Sequence, residues 1–345
     1  MASFDASKKW TIITPLDAHQ AKKAIEDLSR CIGLLGAPNL PVVLKASDNA
    51  PVEAIIVLND GEGGPGKNGF GWRAVNERVE IFGESDRGLC NGIYSFLAAL
   101  GLSWPAPGQE KLPEPKKAAF PLSTASVREP SGFDGKNTAA VHLRRYVPAN
   151  AKEIRDALKN SEAFAAWAGR NRYDALVFPL TAFACRKTRG KLKQLKQFAQ
   201  GYGITLEAGG WDLSSLVPRR YFFFLRDAFR MEEGKRKKAH HFCPTSLNTT
   251  RIMNSAGKKL LNAAEGIEVF HLWPDKGAET AWCSCPTCRA FTFQEQNRMG
   301  VNAAADTLAT INPNASITCF EKPSDEGKIP LRKNVFRLES LPRKD

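Results

Sequence analysis

Residues 204–212 read Ile204-Thr205-Leu206-Glu207-Ala208-Gly209-Gly210-Trp211-Asp212. An apolar run of strand length stops at two glycines, and a tryptophan and an aspartate follow. Helical spacing precedes it at 191–201. The same rhythm continues with a helix at 249–264, a strand at 267–273, a helix at 298–311, and strands at 316–320 and 335–338. Upstream lie a run at 121–127 ending in Arg128 and Glu129, a helix around 163–172 and a strand at 175–180. Strands alternating with helices imply parallel βα units. Six strands without a Gly-x-Gly-x-x-Gly turn fit a (β/α) barrel better than a nucleotide-binding sheet. The barrel is two units short of eight.

The segment before it has its own α/β rhythm. A strand at 10–14 precedes an amphipathic helix at 17–35, with Ala21, Ala24, Ile25, Leu28, Ile32 and Leu35 on one face. Asp17 is placed to cap this helix and Gly36 to end it. Strands follow at 42–44 and 55–58, then a Gly-rich loop, paired strands at 72–76 and 78–82, and a helix at 89–100. Gly101, Pro105 and Pro107 stop that helix, and 105–117 reads as a linker. The fold class is therefore α/β, with a small accessory domain at 1–117 and an incomplete barrel at 118–345.

Charge divides the chain in the same place. Residues 1–117 carry a net −1 and the remainder +14, and 186–238 alone holds 14 basic and 5 acidic residues. Such an excess suits an acidic substrate or nucleic acid, or simply a solvated basic face. The aromatic-basic stretch Arg219-Arg220-Tyr221-Phe222-Phe223-Phe224-Leu225-Arg226 has the ingredients for stacking single-stranded nucleic acid. A buried strand or turn with basic flanks accounts for it more simply, so nucleic acid is not the favoured partner. No run of about 18 apolar residues exists, which excludes a membrane-spanning helix. The first residues lack a basic region followed by an apolar stretch, so a cytoplasmic location is expected.

Trp282-Cys283-Ser284-Cys285-Pro286-Thr287-Cys288 places three thiols within six positions, and Cys285-x-x-Cys288 is a spacing for two ligands of one metal. Cys243, in a loop expected to neighbour this one, is the candidate fourth ligand, with His240 or His241 behind it. Four thiolates would make a closed structural zinc site. The alternatives are free thiols or a disulfide. A barrel places its chemistry at the C-terminal ends of its strands. There the sequence puts Arg128, then Glu207, Trp211 and Asp212, then Trp273, Asp275 and Glu279, then Glu321. Aromatic faces beside carboxylates suit sugars, and glycosidic cleavage needs two carboxyl groups flanking the bond. Any one of these acids could instead be a helix cap. The candidate catalytic residues are Asp275, Glu279, Glu207 and Glu321, and the candidate substrate-binding residues are Arg128, Trp211, Asp212, Trp273 and Trp282. No P-loop, His-Glu-x-x-His or Gly-x-Ser-x-Gly pattern competes.

The stretch from Gly83-Glu84-Ser85-Asp86-Arg87-Gly88 to Leu100-Gly101-Leu102-Ser103-Trp104 resembles the end of the accessory domain that precedes the barrel in β-hexosaminidases and α-glucuronidases. Phe242-Cys243-Pro244, Trp282-Cys283-x-Cys285-x-x-Cys288 and Asn302 resemble an uncharacterised bacterial family placed with the glycoside hydrolases, domain of unknown function 4838. The resemblance covers roughly residues 10–320. It implies attack on a glycosidic bond, with the acid at the end of the fourth strand, here Asp275, and Glu279 in reserve. Glu207 or Glu321 would be its partner. A non-catalytic carbohydrate-binding barrel is the alternative.

Overall fold

The structure is a computed structural model and describes residues 3–5, 8, 10–14, 21–36, 42–45, 55–60, 69–75, 78–113, 119–121, 127–129, 144–320 and 328–338. Asp17, the expected helix cap, and Glu321 lie outside them.

Strand β1 (Ser3–Asp5) pairs antiparallel with a later strand, β7 (Ala119–Pro121). Between them come β2 (Thr11–Thr14), α1 (Lys22–Leu34), β3 (Val42–Lys45), β4 (Ile55–Asp60), β5 (Phe70–Val75), β6 (Arg78–Gly83) and α2 (Asp86–Ala99). The sheet order is β3-β2-β4-β6-β5-β8, where β8 is Val127–Glu129. Gly36 ends α1 in the left-handed conformation expected of it (φ 112°). Ser85 caps α2 by accepting from the Gly88 amide.

Strand β8 departs from the sequence reading. The run around 121–127 was expected to open the barrel, with Arg128 at its mouth. Instead β8 lies antiparallel on β5, pairing Arg128 with Gly71, and so belongs to the first sheet. The free edge of β5 supplies hydrogen-bond partners that a short strand here satisfies.

The barrel sheet opens further on. Its strands are β9 (Arg145–Tyr146), β10 (Ala175–Phe178), β11 (Thr205–Gly210), β14 (Val269–Leu272), β15 (Ser316–Phe320) and β16 (Val335–Leu338), all parallel and in chain order. This is a curled parallel half-barrel among the described residues. Helices α3 (Ala151–Lys159), α4 (Ser161–Arg170), α5 (Leu180–Ala184) and α6 (Arg186–Gln200) flank its first strands. Between β11 and β14 run the hairpin β12 (Met231–Glu232) and β13 (Lys235–Arg236), then α7 (Leu247–Ile252) and α8 (Lys258–Asn262) joined through a π-helical turn. Helix α9 (Phe293–Ala309) opens with a capping box between Thr292 and Glu295. No described helix is long and apolar enough to cross a membrane.

Buried ion pairs tie the first sheet's helices to the half-barrel. The Arg87 guanidinium donates to Asp174 (3.3 Å) and to the carbonyls of Tyr202 and Tyr173 (2.9 and 2.6 Å). Asp27 of α1 receives Arg170 of α4 through two bonds of 2.9 Å. Both carboxylates are buried. Removing Arg87 would leave Asp174 without its cation, which costs about 3–5 kcal/mol, whereas Asp27 would keep Arg30 at 3.1 Å and the Tyr94 hydroxyl at 2.9 Å.

Candidate functional site

Two strand exits form the rim. Gly209 and Gly210 both have left-handed φ angles, 109° and 115°, and a Cβ on Gly209 would stand 2.0 Å from the His271 carbonyl oxygen. Only glycine lets β11 lie so close to β14. The chains are then stitched together: the Trp273 and Asp212 amides both donate to the Gly210 carbonyl (2.9 and 2.8 Å), and the Leu213 amide donates to Trp273 (3.2 Å). Trp211 and Asp212 thus leave β11 beside Trp273 and Asp275 leaving β14. That common rim is the one expected for the barrel.

The two aspartates differ in surroundings. Asp212 takes the Leu180 amide at 2.6 Å, which ties it to the exit of β10. Burial pushes its carboxyl up to about 6, and the charge of Asp275 adds to the rise, while Ser215 and the Leu180 amide oppose it. Asp275 instead faces an arginine and a histidine. Arg219 Nη2 is 3.6 Å from its Oδ2 and His240 Nδ1 is 3.9 Å away. Arg219 also donates to the His240 carbonyl. His240 holds a left-handed φ of 61°, a costly conformation for a residue with a Cβ. Among the described residues, Arg219 Nη1 is buried without a hydrogen-bond partner. The sequence marks Arg219 as a flank of an aromatic-basic stretch and His240 as a reserve metal ligand, and neither as a partner of Asp275. Nothing in local spacing brings residues 56 and 35 positions upstream to Asp275.

Glu207 sits below this rim, inside the barrel. It receives Arg145 Nε at 2.8 Å and His271 Nε2 at 2.6 Å. Although burial alone would raise it, these two partners hold its carboxyl down at about 2. His271 Nδ1 lies 2.5 Å from Thr318 Oγ1, to which Trp273 Nε1 donates at 3.2 Å. A neutral His271 protonated at Nε2 satisfies every member: Trp273 to Thr318, Thr318 to His271, His271 to Glu207. Burial holds the His271 ring down, towards this neutral form. Four strands (β9, β11, β14 and β15) are thereby bonded through the interior. Glu207 is engaged there through Oε2 and lies inside the barrel rather than at its rim.

Several expected ligand contacts are likewise internal. Trp273 is fully buried and presents no open ring face; Trp211 packs edge-on against it at 5.7 Å and remains half-exposed. Trp282 is buried, stacked on His241 at 4.2 Å, with its indole N–H on the Glu279 carbonyl. The Glu279 carboxylate accepts the Gly277 amide (2.9 Å) and so braces its own loop.

The four cysteines meet as their spacing implied. The sulfurs of Cys243, Cys283, Cys285 and Cys288 all lie within 4.8 Å of one another, buried, and the group could hold a metal. Cys243 Sγ is 3.8 Å from Cys285 Sγ and 3.7 Å from Cys288 Sγ. Four sulfurs at Zn–S distances of about 2.3 Å around a tetrahedral centre stand about 3.8 Å apart. These separations exclude a disulfide in this arrangement, whose S–S distance is about 2.05 Å. The Met231 amide of the β12–β13 hairpin donates to Cys283 Sγ (3.2 Å), with Arg236 Nη1 at 3.7 Å. Gln296 of α9 bonds the Cys283 amide and the carbonyls of Cys283, Cys288 and Phe291. A donor shell of this kind supports thiolate ligands.

No protein-family model and no curated protein matches the chain. Solved structures do. A β-N-acetylhexosaminidase from Bacteroides fragilis aligns over 97% of this chain and 66% of its own, at 12% identity and a TM-score of 0.50. A glycoside hydrolase family 138 enzyme targeting pectin rhamnogalacturonan II aligns over 95% and 38%, at 12% identity and 0.51. An inactive mutant of a family 20 exo-β-N-acetylglucosaminidase from Vibrio harveyi aligns over 97% and 54%, at 11% identity and 0.50. The chain spans less than two thirds of each of these proteins. The fold is glycoside-hydrolase-like.

Proposed function

We propose that the chain is a carbohydrate-active, glycoside-hydrolase-like protein whose working carboxyls are Asp212 and Asp275. The observation that carries this reading is the contrast between the two: one carboxyl raised by burial, the other beside an arginine, on adjacent strand exits. A carboxyl raised by burial can hold the proton of a general acid beside a second carboxyl that serves the charged role. Asp212 gives its proton to the glycosidic oxygen as the bond to the anomeric carbon breaks. Asp275 faces the positive charge that develops on the sugar and takes a proton from the water that attacks the anomeric carbon. This exchanges the roles expected from the sequence, because the proton-retaining carboxyl is Asp212. The exposed part of Trp211 offers a face to the sugar ring. Arg219 Nη1, a donor without a protein partner, suits the carboxylate of an acidic sugar.

Glu207 and Glu279 hold structure in this scheme. Residues 1–117 act as an accessory unit bracing the half-barrel of 118–345 through Arg87 and Asp27, although β8 returns to the first sheet. Turnover of a panel of neutral and uronic aryl glycosides tests the pair. Asp212→Asn and Asp275→Asn are each expected to lower kcat by about 100-fold or more, within the range for general acid–base catalysis. Unchanged turnover in either variant would remove that residue from the mechanism.

A second reading, a carbohydrate-binding barrel without catalysis, is favoured by one observation: Glu207 and Trp273 are engaged inside the barrel. Glycan binding by the wild-type chain without any turnover would select it.

The four cysteines are proposed to bind one structural zinc, pinning the loop before α7 to the loop before α9. Reduced thiol ligands fit a cytoplasmic setting, and the set fits the family resemblance drawn from the cysteine spacing. Elemental analysis should find one zinc per chain. Cys285→Ser should lose most of that metal and melt several degrees lower. Wild-type protein purified without metal but with an unchanged melting temperature would refute the zinc.

A further inference from the structure

The stretch expected as a buried strand or turn with basic flanks is a turn, but not a buried one. It forms two short 3₁₀ turns, Arg219–Phe223 and Arg226–Ala228. Phe223 is 67% exposed, Phe224 85%, and Leu247, at the start of α7, 76%. These rings stand on a rigid base. Phe222 packs edge-on against the fully buried Phe229 at 5.3 Å. The Leu225 and Phe224 amides return to the Tyr221 carbonyl at 2.8 and 3.1 Å. Asp227 is held by Ser246 (2.7 Å) and Asn248 (2.9 and 3.0 Å), which flank Leu247. Two phenylalanines fixed in solvent on such a base mark a binding surface.

Cations alternate with the rings. Arg220 lies over Tyr221 (5.2 Å), Arg226 over Phe222 (5.8 Å) and Lys238 over Phe223 (4.7 Å). All three are exposed at the surface. Between residues 219 and 238 there are eight Lys/Arg and three Asp/Glu, a net +5. Two of the three acids do not offset the ridge: Asp227 is tied to α7, and Glu232 is paired with Arg230 (3.0 Å) and Lys237 (4.0 Å). The ridge is continuous with the carboxyl pair, because Arg219, which faces Asp275, is the first residue of its first turn.

We infer that this ridge is an extended subsite for an anionic polysaccharide, a polyuronate whose chain leads away from the sugar bound at Asp212 and Asp275. The inference rests on the functional reading above and adds the substrate class to it. A polyuronate presents a C–H face and a carboxylate on each sugar, matching the alternation of ring and cation. Nucleic acid offers charge and stacking as well, so it enters as a competing outcome.

Titration of the full chain with an oligogalacturonate tests this. The comparators are the same backbone fully methyl-esterified and a single-stranded DNA of equal charge. Wild type is expected to bind the acid form, more weakly as salt rises, and to bind both comparators at least about tenfold less tightly. Phe223→Ala/Phe224→Ala, Phe224→Ala alone and Arg220→Gln/Arg226→Gln/Lys238→Gln alter only exposed side chains. The double and triple variants should each lose about tenfold in affinity, and Phe224→Ala a part of that. Turnover of a short aryl glycoside should stay within about twofold in all three. Variants that bind like wild type, an ester bound as tightly as the acid, or DNA bound as tightly as the oligogalacturonate would each overturn the subsite. If Asp212→Asn leaves aryl-glycoside turnover intact, the catalytic reading fails on its own, and the ridge is still judged by these affinities.

Discussion

Glu207 and Asp212 stand five residues apart on one strand and its exit, the first buried and the second half-buried, yet their carboxyls shift in opposite directions. Glu207 is held down at about 2 and Asp212 pushed up to about 6. Burial raises both. Arg145 and His271 overcome it at Glu207, whereas Asp212 has only an amide, a hydroxyl and the repulsion of Asp275. Withdrawal from water therefore does not by itself select the acid. What decides is whether a cation stands beside the carboxyl, as Arg145 does at Glu207.

The largest expected effect tests the interior half of this contrast. Glu207→Ala leaves the Arg145 guanidinium buried and unpaired, and chemical denaturation should show a loss of about 3–5 kcal/mol. A loss under about 1 kcal/mol would mean that the Arg145–Glu207–His271 chain does not hold the strands together. The pH dependence of stability tests both halves together. Asp212 has its ordinary value of 3.8 raised to about 6, so the folded chain binds more protons than the unfolded one between those limits. Acidification from pH 7 to about 4 should therefore stabilise the fold, by up to roughly 3 kcal/mol. Glu207 has 4.5 lowered to about 2, so its contribution is present above 4.5 and lost as pH falls through about 2, with a similar magnitude. Asp212→Asn should abolish the first slope and keep the second. A smaller effect is expected from Thr318→Val, which removes the hydroxyl between His271 and Trp273. It should cost about 1–3 kcal/mol for the buried groups left unpaired. No change in the melting temperature would cut Thr318 out of the chain.

The βα rhythm, the parallel half-barrel and the cysteine set were legible because each rests on local spacing: period 3.6, short apolar runs, Cys-x-x-Cys. Less legible was anything decided by a partner distant in the chain. β9 is only two residues long, too short for periodicity to reveal, and β8 was assigned by its position after the linker rather than by the open edge of β5. The apolar run stops at Ala208, which makes Glu207 look like a strand-end acid, whereas the strand runs on to Gly210. That extension turns Glu207 into an interior position, and His271, a lone polar residue in Val269–Leu272, was the available hint of a buried partner. Trp273 and Trp282 were placed at the sugar by residue type, but packing against Trp211 and His241 claims their faces.

The most direct measurement is a carbon-13 NMR titration of the Asp212 carboxyl, assigned by its disappearance in Asp212→Asn. The expected midpoint is near 6, shifted lower in Asp275→Asn because the neighbouring charge is gone. A midpoint at or below the ordinary aspartate value of about 3.9 would contradict it.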